Sequence, residues 1–172
     1  MFLRRCETLK EEGKMLFDSI MHVTFYCEDL KRSVAFYEDL GCQIRMAVKY
    51  KSYLNRPDHP FYQKALDTPD DYCIVYMEVA PGQFIELFPK KEGQSKHLSF
   101  DEDTGYSHFG TLVKDISATR DFLVSKGVKI LSGPKIGNSH TWQMWIADPD
   151  DNRIEIMQYT DESYQVTGHI DE

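Results

Sequence analysis

Two stretches of sequence decide the fold: HVTFYCED at residues 22–29 and HFGTLVKD at residues 108–115. Each stretch begins with a histidine, continues through strand-forming residues and ends with an aspartate, a residue well suited to begin a helix. The interval between the copies is 86 residues at both ends, and the same interval separates Gly41 from Gly127. The chain is therefore predicted to contain one structural module twice.

The pattern around each copy predicts a β-α-β-β-β module. After each aspartate, apolar residues recur at helical spacing up to a glycine, which suits the left-handed residue that ends a helix. Turn-forming residues at 80–82 and 148–152 then separate the last two strands of each copy. The predicted strands are 20–27, 42–49, 72–79 and 83–88 in the first copy, and 108–113, 128–131, 141–147 and 153–158 in the second. The predicted fold class is α+β.

Each copy ends in a strand that carries one acid among apolar residues, FIELF at 84–88 and RIEIM at 153–157. The two-residue period of a strand places Glu86 and Glu155 on the face away from the helices. An unpaired carboxylate among apolar neighbours is costly, and a metal ion would remove that cost. Because each copy also supplies a histidine, His22 or His108, a metal site with two imidazole and two carboxylate ligands is predicted where the copies meet. This ligand set suits one divalent ion, with zinc or nickel favoured and manganese or ferrous iron also compatible.

The composition is that of a small globular protein without a surface for polyanions. Of 172 residues, 20 are Lys or Arg and 28 are Asp or Glu; the formal net charge of −8 argues against nucleic-acid or membrane-surface partners. No run approaches the roughly 18 apolar residues of a membrane span. The cysteines show neither zinc-knuckle nor disulfide-framework spacing, so free thiols in a reducing compartment are predicted for Cys6, Cys27, Cys42 and Cys73. A cytoplasmic protein is expected.

Residues 20–160 are predicted to be one domain. Its first module would span 20–88, a polar linker 89–105 and the second module 106–160. Residues 1–19 are expected to be an N-terminal extension, and residues 161–172 a frayed C-terminal tail. The copies differ mainly at residues 50–71, an aromatic and proline-broken insert that is interpreted either as a binding loop or lid, or as a small separate cluster.

These motifs together resemble the vicinal oxygen chelate superfamily and, within it, the glyoxalase I (lactoylglutathione lyase) branch. The resemblance covers residues 20–160 and rests on HVTFYCEDLKRSVAFY at 22–37, IEL at 85–87, GYSH at 105–108 and DPDDNRIE at 148–155. It implies two modules whose sheets curl around a metal cleft, often in a homodimer with exchanged modules. It also implies metal ligands at the positions of His22, Glu86, His108 and Glu155.

The activity that this resemblance implies is proton transfer on a hemithioacetal, or on another substrate with two adjacent oxygens, through a metal-stabilised enediolate. Glu155 matches the position of the catalytic base, and Glu86 either holds the metal or serves the opposite face of the substrate. Glutathione-using members often have Arg and Asn where this chain has Tyr26 and Lys90, so the thiol is left open. Strand parity directs Trp142, with His140 and Met144, toward the pocket and Trp145 into the core. The candidate substrate-binding residues are Tyr26, Lys135, His140 and Trp142.

Other functions within the same fold remain open. An extradiol-type dioxygenase would hold ferrous iron with two His and one carboxylate, but Glu86 would then occupy a position that oxygen needs. A non-enzymatic binding protein of the antibiotic-resistance type generally lacks the four ligands. An epimerase of acyl-thioesters often has Gln at the position of Glu86.

Overall fold

The computed structural model describes residues 19–95 and 104–170. Within these ranges the strands are β1 (His22–Cys27), β2 (Gln43–Lys49), β3 (Tyr72–Ala80), β4 (Gln83–Pro89), β5 (His108–Leu112), β6 (Ser132–Ile136), β7 (Trp142–Ala147) and β8 (Arg153–Gln158). The helices of the same ranges are α1 (Leu30–Asp39), a 3₁₀ helix (Tyr50–Tyr53), α2 (Tyr62–Asp67), α3 (Ile116–Ser125) and α4 (Tyr164–Thr167). The predicted α+β class is confirmed, and so is the β-α-β-β-β order of both halves, with two short helices inserted in the first.

Each half forms its own mixed sheet. The strand order is β1-β4-β3-β2 in the first sheet and β5-β8-β7-β6 in the second. In both sheets the first strand runs parallel to the last, and the other pairings are antiparallel. The registers also correspond, because Thr24 pairs with Glu86 and Gly110, at the matching position, pairs with Glu155. The repeat in the sequence is therefore a repeat in the structure.

Aspartates begin the two long helices, as predicted. The Asp29 carboxylate accepts a hydrogen bond from the backbone N–H three residues later at 3.1 Å, and Asp115 does the same at 2.9 Å. Both bonds satisfy a donor that the first turn of a helix leaves unpaired. After the helices, Gly41 with φ 93° and Gly127 with φ 76° adopt the left-handed conformation that glycine tolerates best.

The strands alternate between a helix-covered face and an outer face, by which we mean the face of each sheet opposite its helix. In β1, Phe25 and Cys27 are buried, whereas His22, Thr24 and Tyr26 lie on the outer face. The helix-covered faces of both modules merge into one hydrophobic core. The outer faces, which carry all four predicted metal ligands, consequently point away from that core.

The turn between β7 and β8 fastens the second module to helix α1 of the first. The Asp148 carboxylate is buried, and it accepts hydrogen bonds from the Tyr37 hydroxyl at 3.0 Å and the Asn152 side-chain amide at 2.8 Å. Two residues later, Asp150 accepts a hydrogen bond from an Arg32 guanidinium nitrogen at 2.9 Å. Burial raises the pKa of Asp148, although its hydrogen bonds oppose that rise. These contacts hold the two modules in one arrangement.

The strand predicted at 128–131 was wrong. The second strand of the second module lies instead at Ser132–Ile136, where it pairs with β7. Val128 and Ile130 are apolar because they pack against the hydrophobic core from an irregular segment. The true strand contains Gly133 and Pro134, which are poor strand formers and concealed it from the sequence pattern.

The segment predicted to be a frayed tail is ordered over residues 161–170, where it contains α4. The Ser163 hydroxyl, which is buried, accepts a hydrogen bond from the Thr160 backbone N–H at 2.8 Å. It also donates to the carbonyl of His140 at 3.2 Å. The segment therefore packs on the loop before β7, a contact that local sequence does not encode.

The insert at 50–71 forms a small separate cluster, which is one of its two interpretations. Tyr50, Ala65 and Cys73 are buried there, and Tyr53 and Phe61 pack against them. The cluster joins the 3₁₀ helix and α2 to the end of the first sheet. A role as a lid remains a prediction.

Within the described residues no helix is long and apolar enough to cross a lipid bilayer. The thiols of Cys27 and Cys73 are buried and unpaired, and that of Cys42 is partly buried and unpaired, as predicted. Burial raises the pKa of Cys27 to about 12, so this thiol is unreactive. The predictions for Cys6 and for residues 1–18 and 96–103 lie outside the described residues.

Candidate metal centre

The first module brings His22 and Glu86 together on its outer face. His22 begins β1, and the parallel pairing with β4 sets Glu86 opposite Thr24, two residues further along β1. His22 Nε2 lies 3.6 Å from Glu86 Oε2, with the imidazole 37% and the carboxylate side chain 13% exposed. We call this pair the first half site.

The second module repeats this arrangement with His108 and Glu155, the second half site. His108 Nε2 lies 3.5 Å from Glu155 Oε2, and the two side chains are 33% and 13% exposed. His108 Nδ1 lies 3.0 Å from the Ser107 hydroxyl. A proton held on Nδ1 by that contact would leave the Nε2 lone pair directed at Glu155, as in many metal-binding histidines.

Both half sites have the spacing expected of two ligands on one ion. Ligand atoms at about 2.0–2.2 Å from a metal lie about 3 to 3.6 Å from one another. Among the residues that the structure describes, however, no three His, Cys, Asp or Glu side chains cluster closely enough to hold a metal. Within the described residues the two His-Glu pairs are therefore two separate half sites.

An aromatic ring stands beside each half site. Tyr76 lies opposite Glu86 on β3, and its ring centroid is 5.5 Å from the imidazole of the same module. Trp145 lies opposite Glu155 on β7, with its centroid 4.7 Å from the corresponding imidazole. Burial and the Glu86 carboxylate raise the pKa of Tyr76. The sequence reasoning missed both rings, although the interval from Tyr76 to Trp145 is 69 residues, the same as that between the glutamates.

The predicted parity of the two tryptophans was wrong. Trp142 packs against the hydrophobic core, and Met144 on the same side of β7 is fully buried. Trp145 consequently lies on the outer face. The physical reason is that Met144 and Ile146 occupy the core, and the two-residue period of the strand places Trp142 on their side.

His140 is not placed with the half sites either. It precedes β7 in a turn, with φ 57°, so strand parity does not apply to it. Its Nδ1 lies 3.7 Å from Glu162 Oε2, and its ring packs 5.0 Å from that of Tyr164. His140 therefore contacts the C-terminal segment.

Lys135 and Tyr26 do lie on the outer faces. Lys135 is exposed on β6 and pairs with Gln143, which puts it on the same side of the sheet as Glu155. Tyr26 is exposed on β1, with its ring 5.6 Å from that of Phe88. These two predicted substrate-binding residues thus share a face with a half site, one in each module.

A cavity of about 650 Å³ lies beside β1. Its lining includes Thr24 and Tyr26, and also Lys90 and Glu28, whose charged groups form an ion pair. A second cavity, of about 690 Å³, lies at the junction of the modules and is lined by His22 and His108. Both imidazoles can therefore be reached from open space.

The fold and the two half sites define a class of protein with paired β-α-β-β-β modules and His-Glu pairs on the outer sheet faces. Residues 19–156 match the family model of the Glyoxalase/Bleomycin resistance protein/Dioxygenase superfamily. The chain belongs to this superfamily, as its motifs predicted. No curated protein gives a significant match to the chain.

Solved structures agree on the fold. The glyoxalase family protein from Enterococcus faecalis is 20% identical, with a TM-score of 0.62 over 83% of this chain and 99% of that one. A lactoylglutathione lyase from Agrobacterium tumefaciens is 16% identical, with a TM-score of 0.54 over 84% and 96% of the two chains. A glyoxalase/dioxygenase from Nostoc punctiforme is 15% identical, with a TM-score of 0.58 over 84% and 92%. At these identities the likeness establishes the fold and leaves the activity to the site.

Proposed function

We propose that the protein is a metal-dependent lyase or isomerase of the glyoxalase I type. It would move a proton between adjacent carbons of a hemithioacetal, or of another substrate with two neighbouring oxygens. The observation that carries this proposal is the duplicated His-Glu pair, with N–O distances of 3.6 Å and 3.5 Å on the outer faces of the two modules.

A homodimer would bring the four ligands together. In a dimer with two-fold symmetry, the first half site of one subunit can face the second half site of its partner, which gives two equal four-ligand sites. Exposed apolar side chains on the outer faces support such a contact, since Tyr26 is 41%, Met46 45% and Leu112 57% exposed. The helix-covered faces already pack against each other within the chain and leave the outer faces for a second copy.

The residues fit one divalent ion, held by His22, Glu86, His108 and Glu155, with zinc or nickel favoured and manganese or iron compatible. Such an ion, when bound, would act as a Lewis acid toward two adjacent oxygens of the substrate.

The chain's own residues would do the rest. Glu155 would take the proton from one carbon and return it to the next, so that no other reactant is needed. Tyr76 and Trp145 would wall the reacting group and exclude water. Tyr26 and Lys135, which share the outer faces, would contact the remainder of the substrate.

A cytoplasmic location is part of the same proposal. The described cysteines are unpaired, which suits a reducing compartment. Fractionation of the native cells checks it, and recovery of the protein from an oxidising compartment would contradict it.

The test is the metal content per chain after purification without added metal, followed by turnover of methylglyoxal with a panel of thiols. We expect close to one divalent ion per chain, its loss in His108→Ala and its retention in the matched control His140→Ala. Glu155→Gln should keep most of the metal while turnover falls by about 10²- to 10⁴-fold, the usual contribution of a positioned base.

Two outcomes would contradict the proposal. Protein that contains no metal and takes up none of zinc, nickel, manganese or iron would favour a non-enzymatic binding protein. Unchanged turnover in Glu155→Gln would remove the assignment of the base.

A further inference from the structure

The two half sites differ at the residue that pairs with the glutamate. In the first module the Thr24 hydroxyl donates a hydrogen bond of 2.8 Å to Glu86 Oε2. In the second module the residue opposite Glu155 is Gly110, which has no side chain to donate. This is a chemical difference at matching positions of two otherwise similar half sites.

We propose that Thr24 is a positioning residue that fixes the Glu86 carboxylate, and that the Thr24-to-Gly110 difference makes Glu86 the fixed ligand and Glu155 the movable base. The inference rests on the proposed function, because it assigns different roles to the two carboxylates of that site. It does not depend on which metal or which thiol is used.

The Thr24 hydroxyl is well placed to hold a carboxylate still. Threonine is branched at Cβ and has few χ1 rotamers, so its hydroxyl is itself fixed once the strand has formed. Its hydrogen bond goes to Glu86 Oε2, the same oxygen that lies 3.6 Å from His22 Nε2. A carboxylate oxygen has a second lone pair, so this oxygen can be held by Thr24 and still face an ion. Hydrogen bonds of this kind orient metal-binding carboxylates, and their loss typically costs 10- to 100-fold in metal affinity or activity.

Gly110 is not required by crowding or by the backbone. A Cβ at this position would lie 3.8 Å from Met157 Sδ and 4.0 Å from Glu155 Oε2, which are ordinary contact distances. Gly110 is also absent from the residues with a left-handed backbone. A side chain therefore fits there, and its absence means that no hydroxyl at this position holds the Glu155 carboxylate, which would be free to move from an ion toward the substrate.

The first part of the test is the affinity of the metal-free protein for zinc, measured by competition with a chromogenic chelator. Thr24→Val keeps the shape of the side chain and removes the hydroxyl, so the dissociation constant should rise by about 10- to 100-fold. Thr24→Ser keeps the hydroxyl and should bind zinc like the wild type. Thermal melting of each variant separates this effect from a loss of folding.

The second part adds a hydroxyl beside Glu155. Gly110→Ser should bind zinc at least as tightly as the wild type, while kcat falls by about tenfold or more with little change in KM, because the base is now held. Gly110→Ala is the matched control, since it adds the Cβ without the hydroxyl and should keep most of kcat.

The outcomes distinguish this inference from the proposed function. Wild-type protein that binds no zinc would overturn both. Wild-type protein that binds zinc, with Thr24→Val equally tight, would overturn the role of Thr24 and leave the proposed function standing. Wild-type kcat in Gly110→Ser would overturn the movable role of Glu155.

Discussion

Mixing two inactive variants decides whether the metal site spans two subunits. His22→Ala removes a ligand from every first half site, and His108→Ala removes one from every second half site. Neither variant alone retains a four-ligand site. If each site takes its first half site from one subunit and its second from the partner, a heterodimer of the variants has one site with both substitutions and one with neither.

The size of the recovery follows from this geometry. Equal amounts of freely exchanging subunits give homodimers and heterodimers in a 1:2:1 ratio, so about half of the dimers are heterodimers. Each heterodimer has one intact site out of two, so about a quarter of the wild-type metal binding and turnover should return. A site formed within one chain would give no recovery, because no chain in the mixture carries both histidines.

The assay is metal content and turnover after the subunits have exchanged in mild denaturant, with native mass spectrometry to count heterodimers. The matched control mixes His22→Ala with Glu86→Gln. Both changes lie in the first half site, so every site in that heterodimer remains defective and no recovery is expected. Confirmed heterodimers of His22→Ala and His108→Ala without recovered metal would refute the cross-subunit site, as would a wild-type protein that is monomeric at micromolar concentration.

The remaining predictions use the two tryptophans and the buried aspartate. Zinc should change the fluorescence of Trp142→Phe, because its remaining tryptophan, Trp145, lies 4.7 Å from the His108 ring. Zinc should leave the fluorescence of Trp145→Phe unchanged. Equal responses of the two variants would contradict the placement of Trp145 beside the second half site. Because burial raises the pKa of Asp148 in the folded state, the folded protein holds this proton more tightly than the unfolded chain. The contribution of Asp148 to the free energy of unfolding should therefore fall as the pH rises from the ordinary aspartate range through the raised pKa. Urea unfolding at several pH values should show a flatter profile for Asp148→Asn, and a profile parallel to the wild type would count against this.

The sequence contained enough to predict the modules and their His-Glu pairs. Helix starts were readable because Asp29 and Asp115 each cap a helix with their own side chains, a local interaction. The positions of Glu86 and Glu155 were readable because strands alternate and because the chain repeats itself. These features depend on residues close in sequence or on a fixed period.

What the sequence could not predict depends on contacts between distant elements. To predict which of Trp142 and Trp145 faces the core, one must know which side of β7 packs against it. The sequence does not tell, because β7 has apolar residues on both sides. The separation of the two half sites depends on how the modules pack, which involves the bond from Tyr37 to Asp148 across 111 positions of the chain. No local pattern encodes such a distance.

Asp148 and Glu155, two acids with little solvent exposure in the second module, differ in the groups that surround their carboxylates. Asp148 is paired by groups of the chain itself, since Tyr37, Asn152 and two backbone N–H groups all donate to its oxygens. The Glu155 side chain is 13% exposed and faces the imidazole of His108, a side chain that binds divalent metals well. A carboxylate whose oxygens accept hydrogen bonds from several groups of the chain stabilises the packing. A carboxylate that lies beside a second possible ligand, at a partly exposed position, fits the proposed metal site. By this criterion the turn at 148–152 builds the intramolecular contact between modules, and the strand that follows it carries the proposed metal ligand Glu155.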